Sequence, residues 1–307
     1  MENKKNQNRR HFLQTLGLGA VAGTLQGCSN FFEAISKGKN MHTTDSVGLN
    51  LFIGHGSPMN AIEENKFSLA QKELMKNRTP PKAIIVISAH WVTEGINIVT
   101  EAKPKIIYDF YGFPEELHNY KYDAVGEPQL ANETIKLIND NKKFSVHGTD
   151  SWGLDHGAWT VLTHLFPKAD IPVFQLSLNS QMNFLQHLEL AKELRELRKQ
   201  NVMILSSGNI VHNLRMLGGL NPETPHDFAL EFDQWAKSKI LAKDAKSLAT
   251  FEGMNAKLIQ ASHPTLEHYL PLIYTMGASF ENEKFEFPIE GFQGKAISMR
   301  SLLSTKA

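Results

Sequence analysis

Apolar residues along the chain gather into short runs, at Leu49 to Ile53, Ala83 to Ser88, Ile96 to Val99, Pro172 to Leu178 and Val202 to Ser206. Most lack a clean apolar/polar alternation, which predicts strands buried on both faces. Segments with helical patterning lie between them, over Gln129 to Asn139, Trp159 to Phe166, Met182 to Lys199 and Asp227 to Lys243. Strand and helix patterns therefore roughly alternate. The expected class is α/β, a mainly parallel or mixed central sheet flanked by helices in a single domain. Pro80-Pro81 reads as a turn before the second strand and not as a domain boundary, and neither an internal repeat nor a low-complexity tract interrupts the pattern.

Composition sharpens this picture at three points. With 307 residues, 41% hydrophobic and 21% charged, the chain can bury a large core. Its 32 basic and 32 acidic side chains balance, and no long run of one sign stands out, so nucleic acid is not expected as a partner. Cysteine occurs once, as Cys28, against 13 histidines. A disulfide framework and a thiolate-rich zinc site are excluded, and any metal must be held by imidazole and carboxylate.

The sole cysteine falls in a segment with its own logic. Asn8-Arg9-Arg10-His11-Phe12-Leu13-Gln14 resembles a twin-arginine export signal, followed by an apolar stretch from Thr15 to Leu25 that is too short to span a bilayer. Leu25-Gln26-Gly27-Cys28 is similar to a bacterial lipobox, and Gly17, Gly19 and Gly23 argue against a buried helix here. Residues 1–28 are thus expected to be a lipoprotein signal, polar residues 29–46 a tether, and residues 47–307 the catalytic domain. The expected location is the periplasmic face, with the membrane reached only through lipid on Cys28. The resemblance to a twin-arginine signal implies export of a protein already folded.

The main chemical clue is a recurrence. Three of the strand-like runs lead almost at once to a histidine: Gly54-His55-Gly56-Ser57-Pro58, Ser88-Ala89-His90-Trp91, and Ser207-Gly208-Asn209-Ile210-Val211-His212-Asn213. In an open parallel sheet, ligands bind at the carboxyl ends of the strands, where residues distant in sequence converge. Imidazoles gathered there suit zinc or iron, and glycines beside His55 let the backbone approach a ligand closely. His156, in Gly153-Leu154-Asp155-His156-Gly157, and the pair Glu267-His268 are further candidates. If 267 and 268 are helical, their side chains diverge by about 100°, so one of the two faces a metal. Any single histidine is as well explained by packing or solvation; the convergence carries the inference. His263 is expected to cap or pack beside Pro264, and His118 to sit in a solvated loop. His11, His42, His147, His164, His187 and His226 are expected to be structural or surface residues.

Several motifs in order resemble the class III extradiol ring-cleaving dioxygenases, in the branch similar to DOPA 4,5-dioxygenase. They are Gly54-His55-Gly56-Ser57-Pro58-Met59-Asn60-Ala61, Ile87-Ser88-Ala89-His90-Trp91, Ile107-Tyr108-Asp109-Phe110-Tyr111-Gly112-Phe113-Pro114, Gly153-Leu154-Asp155-His156-Gly157-Ala158-Trp159, Gly208-Asn209-Ile210-Val211-His212-Asn213 and Glu267-His268-Tyr269-Leu270-Pro271. The likeness runs from about Leu49 to Arg300. It implies an α/β fold, one divalent metal (Zn or Fe), a catecholic substrate bound through both oxygens, and O2. Carried onto this chain, it makes His55 and His90 metal ligands and takes the last ligand from Glu267-His268, with His268 favoured. It makes His212 the acid/base group or a fourth ligand, and His156 a second acid/base or orienting group. Many extradiol enzymes use two histidines and a carboxylate; a third histidine makes this site look more like zinc. Tyr108, Phe110, Tyr111 and Phe113 either wall a ring-binding pocket or pack in the core. Two other readings share the same cluster: a zinc hydrolase, and a non-catalytic lipoprotein that binds a catechol. Substitution of His212 separates the last of these from an enzyme.

Overall fold

A computed structural model describes residues 47–218 and 224–306. The export signal, lipobox and tether read at residues 1–46 lie outside these, as do His11 and His42. In chain order the strands are β1 (Asn50–Gly54), β2 (Ala83–Thr93), β3 (Ile96–Val99), β4 (Val146–Thr149), β5 (Val173–Asn179), β6 (Val202–Gly208), β7 (Glu283–Ile289), β8 (Phe292–Gln293), β9 (Ile297–Ser298) and β10 (Ser301–Lys306). The α-helices are α1 (Lys66–Leu74), α2 (Glu115–His118), α3 (Pro128–Asp140), α4 (His156–Leu165), α5 (Phe184–Glu193), α6 (Arg195–Arg198), α7 (Asp227–Leu241), α8 (Ala245–Thr250), α9 (Ala256–Ser262) and α10 (Leu270–Ala278).

Eight strands form one mixed sheet in the order β4-β3-β5-β2-β6-β1-β10-β7. The four middle strands, β5, β2, β6 and β1, run parallel, and all five apolar runs seen in the sequence lie in this sheet. Every residue of β1 and β6 is buried, as their unbroken apolar patterning requires. Two adjoining core clusters share one face of the sheet, Phe52 and Ile87 lying in one register row with Ser206. One core gathers β2, β3, β5 and β6 with α3 and α5, built on Ile85, Ile87, Phe174, Leu176 and Ile204. The other gathers α7, α9 and α10 around Phe52, Phe232, Leu272 and Ile273. No helix among the described residues is long and apolar enough to cross a membrane.

Three details differ from the pattern-based expectation. The stretch from Met182 to Lys199 is two helices, because Leu194 ends α5 and begins α6. The C-terminal strand β10 pairs antiparallel with β1 and β7 pairs antiparallel with β10, extending the sheet beyond its parallel part. β2 does not end at Ser88: it continues to Thr93 through an irregularity in which Ile87 pairs Leu176 and Val92 pairs Leu178. The extra β2 residues bulge out of the ladder, so His90 lies inside the strand and not after it. A bulge re-aims side chains at a sheet edge, and here it carries a histidine.

Candidate active site

Each of the five candidate histidines is set by a different element at the carboxyl edge of the parallel strands. His55 follows β1 directly, and its backbone N–H donates to the Gly208 carbonyl at the end of β6 (3.1 Å). The chain then turns at Gly56, whose φ of +64° and crowding against Gln293 Oε1, 2.3 Å from where a Cβ would stand, leave room only for glycine. His90 sits in the β2 bulge. His156 opens α4, capped by buried Asp155, whose Oδ1 accepts from the Ala158 N–H (3.1 Å) and from Ser88 Oγ (2.6 Å). His212 lies in the loop after β6, its N–H donating to the Ser262 carbonyl (3.0 Å). Glu267 and His268 occupy a turn before α10, not a helix, so the divergence expected of adjacent helical residues does not apply. Instead Glu267 Oε1 stands 3.2 Å from His268 Nδ1.

The imidazoles converge. His55 Nε2 and His90 Nε2 are 3.2 Å apart. Ring centroids separate His90 from His156 by 3.8 Å, His90 from His268 by 4.8 Å and His55 from His268 by 5.2 Å. His212 stacks on His268 at 3.5 Å with an interplanar angle of 4°. His55, His90 and His156 form a group whose ligating atoms all lie within 4.8 Å of one another. Gly157 makes part of this packing possible, since a Cβ there would stand 2.8 Å from the His90 ring and 2.5 Å from Ser88 Oγ.

Burial governs the charge of the cluster. Desolvation, and secondarily the neighbouring imidazoles, push His55 and His268 well below the usual imidazole range. His90 falls likewise, through burial and then His156, with Asp109 working against the shift. Burial, His263 and His156 lower His212 to about 3. The rings of His55, His90, His212 and His268 are therefore neutral at pH 7 and have lone pairs to give.

Asp109 is the principal residue that sequence reasoning missed. Its Oδ1 accepts from the His156 backbone N–H (2.9 Å), and its Oδ2 stands 3.3 Å from His90 Nδ1. Oδ2 is also 3.0 Å from His156 Nδ1, but off the line of a ring N–H bond. Burial raises the Asp109 carboxyl; His156 and His90 outweigh this and hold it below the usual value. Its signal was a lone carboxylate inside the aromatic motif around Tyr108 and Phe110. Of those aromatics, Phe110 packs edge-on to His156 (5.6 Å) and beside His118 (4.9 Å), whereas Tyr111 is 93% exposed. The remaining histidines stay outside the cluster. His263 is buried and bonds the Ile210 carbonyl, His164 bonds the Asn60 carbonyl, His187 contacts Tyr274, and His118 ends α2 at the surface. His147 is exposed and His226 meets the Met216 carbonyl.

A mixed α/β sheet with buried neutral imidazoles at the carboxyl edge of its parallel strands is the architecture of a metalloenzyme. Comparison with known proteins gives the family. Residues 51–299 match the model described as the catalytic LigB subunit of aromatic ring-opening dioxygenase. Curated relatives named 4,5-DOPA dioxygenase extradiol are 36% identical in Escherichia coli K12 (82% of this chain, 93% of that protein) and 35% identical in Beta vulgaris (85% and 98%). Dioxygenase tasH of Hapsidospora irregularis is 34% identical over 71% of this chain and 70% of its own length. The crystal structure of an uncharacterized Escherichia coli K12 protein, JW3007, superimposes with a TM-score of 0.71 at 33% identity, covering 82% of this chain and 98% of that one. The chain belongs to the LigB family of extradiol aromatic ring-opening dioxygenases.

Proposed function

We propose that the protein opens the ring of a DOPA-like catechol with O2, at one divalent metal held by His55, His90 and His268, with His212 and His156 handling protons. The observation that carries this reading is the set of inward-facing imidazole nitrogens. His268 Nδ1 has Glu267 as its hydrogen-bond partner and Asp109 Oδ2 lies 3.3 Å from His90 Nδ1, which favours a proton on each Nδ1 and an Nε2 lone pair facing the cluster. The His268 Nε2 is buried with no hydrogen-bond partner, and the His90 Nε2 abuts the His55 Nε2. Buried acceptors facing one another without a donor are costly, and a shared cation removes the cost. This donor set fits zinc and Fe(II) alike.

When bound, the ion would supply positive charge that favours the deprotonated diol. The protein's own groups do the rest. His212, stacked on His268, accepts a hydroxyl proton from the diol and returns it as the ring opens. His156, fixed by the α4 N-terminus and by Asp109, orients the diol from the other side. Phe110, edge-on to His156, supplies an apolar wall for the ring. The reaction breaks a ring carbon–carbon bond next to the diol and places both atoms of O2 in a semialdehyde acid.

Oxygen uptake by protein loaded anaerobically with Fe(II), and separately with Zn(II), against a panel of catechols including DOPA tests the assignment. Uptake with a new yellow chromophore is expected. Silence with both metals at full loading moves the assignment to a zinc hydrolase or a catechol-binding protein. We also propose export by the twin-arginine route and lipid anchoring at Cys28, supported by the Arg9-Arg10 and Leu25-Gln26-Gly27-Cys28 motifs. Membrane fractionation of Cys28→Ala checks it, and a variant still fully membrane-bound contradicts it.

A further inference from the structure

We infer that Ser207 is a positioning residue that fixes the tautomer of His55, so that its Nε2 presents a lone pair to the metal; the inference rests on the proposed metal role of His55. Ser207 is the penultimate residue of β6 and is completely buried. In the sheet register it lies between Ile53 of β1 and Ser88 of β2, one strand position below the site. Its Oγ touches two groups: the Gly157 carbonyl in the first turn of α4 at 2.5 Å, and His55 Nδ1 at 3.0 Å.

A hydroxyl has one proton. Two oxygens 2.5 Å apart repel unless a proton lies between them, and a carbonyl has none to give, so the Ser207 proton goes to Gly157. Toward His55 the same oxygen is left only as an acceptor. Nδ1 of His55 must therefore be the N–H, and the neutral ring carries its lone pair on Nε2. That nitrogen is the one 3.2 Å from His90 Nε2.

The role is otherwise vacant at this histidine. Asp109 stands at Nδ1 of His90 and Glu267 at Nδ1 of His268; at His55 only Ser207 does the equivalent work, without a charge. The supporting geometry is rigid. Neighbouring Ser88 donates to Asp155, whose other oxygen accepts from Gln175 Nε2 at 2.5 Å, and Asp155 caps the helix that offers the Gly157 carbonyl. All four of these polar side chains, Ser88, Asp155, Gln175 and Ser207, are fully buried. The acceptor that commits the Ser207 proton is thus held in place from below the sheet edge. Outer partners of metal-bound histidines set ring orientation and basicity, and their loss typically weakens metal binding about 10- to 100-fold.

The test is zinc affinity, by competition with a chromophoric chelator, for the wild type, Ser207→Ala and Ser207→Thr, joined to NMR of the zinc-loaded protein carrying ¹⁵N-labelled histidine. Expected are a slowly exchanging proton on His55 Nδ1 in the wild type and a roughly 10- to 100-fold weaker zinc affinity with loss of that proton signal in Ser207→Ala. Ser207→Thr, which keeps the hydroxyl, should recover most of the affinity. A proton on His55 Nε2 in the wild type overturns the inference, and that measurement needs no variant to fold. So does a folded Ser207→Ala with unchanged zinc affinity. Neither readout depends on oxygen chemistry: a protein that shows both expected results yet consumes no O2 upholds the role of Ser207 and defeats the dioxygenase assignment alone.

Discussion

Two regions of this molecule bury groups that could bear charge, and they treat them oppositely. Behind the C-terminal strands, Arg198 bonds the Gly48 and Ala278 carbonyls and both oxygens of Glu283, which also accepts from Ser304 Oγ and the Phe280 N–H. Burial alone would raise the Glu283 carboxyl, but Arg198 holds it below its ordinary value. Arg300 grips buried Asp233 in the same way. Every guanidinium nitrogen there meets an acceptor. At the carboxyl edge of β1, β2 and β6, five imidazoles gather instead: the Nε2 atoms of His55 and His90 face one another at 3.2 Å, and His268 Nε2 is buried without a partner. Buried polarity satisfied on every side marks architecture; imidazoles gathered at one sheet edge, with His55, His90 and His268 each backed at Nδ1, mark a place kept for a ligand.

The contrast breaks most visibly if the open cluster is as replaceable as a core. His55→Ala or His268→Ala should abolish both metal retention and oxygen uptake, measured by metal analysis of purified protein and an oxygen electrode. His212→Ala should keep the metal and lower kcat by about 10²- to 10⁴-fold, the scale of lost general acid–base assistance. In the satisfied region the pattern reverses. Arg198→Ala should cost about 3–5 kcal/mol in urea unfolding by stranding Glu283, whereas Arg198→Met combined with Glu283→Leu should recover only part of that loss, because the Gly48 and Ala278 carbonyls, Ser304 Oγ and the Phe280 N–H lose their partners. Activity per folded molecule should not change in either.

His187 sharpens the comparison from a third direction, being completely buried, hydrogen-bonded and uncharged. Burial lowers it from 6.5 to about 4, so above about pH 6.5 both folded and unfolded states hold it neutral. As pH falls from 6.5 toward 4 the unfolded chain takes the proton first, and stability should drop by on the order of 3 kcal/mol over that window. Urea midpoints at successive pH values, with His187→Gln flattening the slope, check it. The smallest effect belongs to exposed pairs such as Lys136–Asp140, where Lys136→Ala should cost no more than about 0.5 kcal/mol.

How legible the molecule was in its sequence follows the same division. The inner strands announce themselves because burial on both faces leaves unbroken apolar runs, and the histidines that follow them announce the site. Strand β7 escaped because it alternates, Phe285 and Ile289 inward with Lys284 and Glu286 outward, and so leaves no continuous apolar run. The β2 bulge escaped because a register shift depends on the partner strand, and Ser88-Ala89-His90 reads locally as a strand that has ended. Asp109 and Ser207 escaped for a deeper reason. One carboxylate beside aromatics and one serine in a strand have no pattern of their own; their work exists only once β6, α4 and the loop after β3 meet.

The most direct test of the account is the fate of oxygen. Metal-loaded protein, given a catechol on which it is active under ¹⁸O2, should yield a ring-opened product carrying both labelled atoms, and His212→Ala should form it far more slowly. Fully loaded protein that consumes no oxygen with any catechol in the panel, or that forms products labelled only from water, would contradict it.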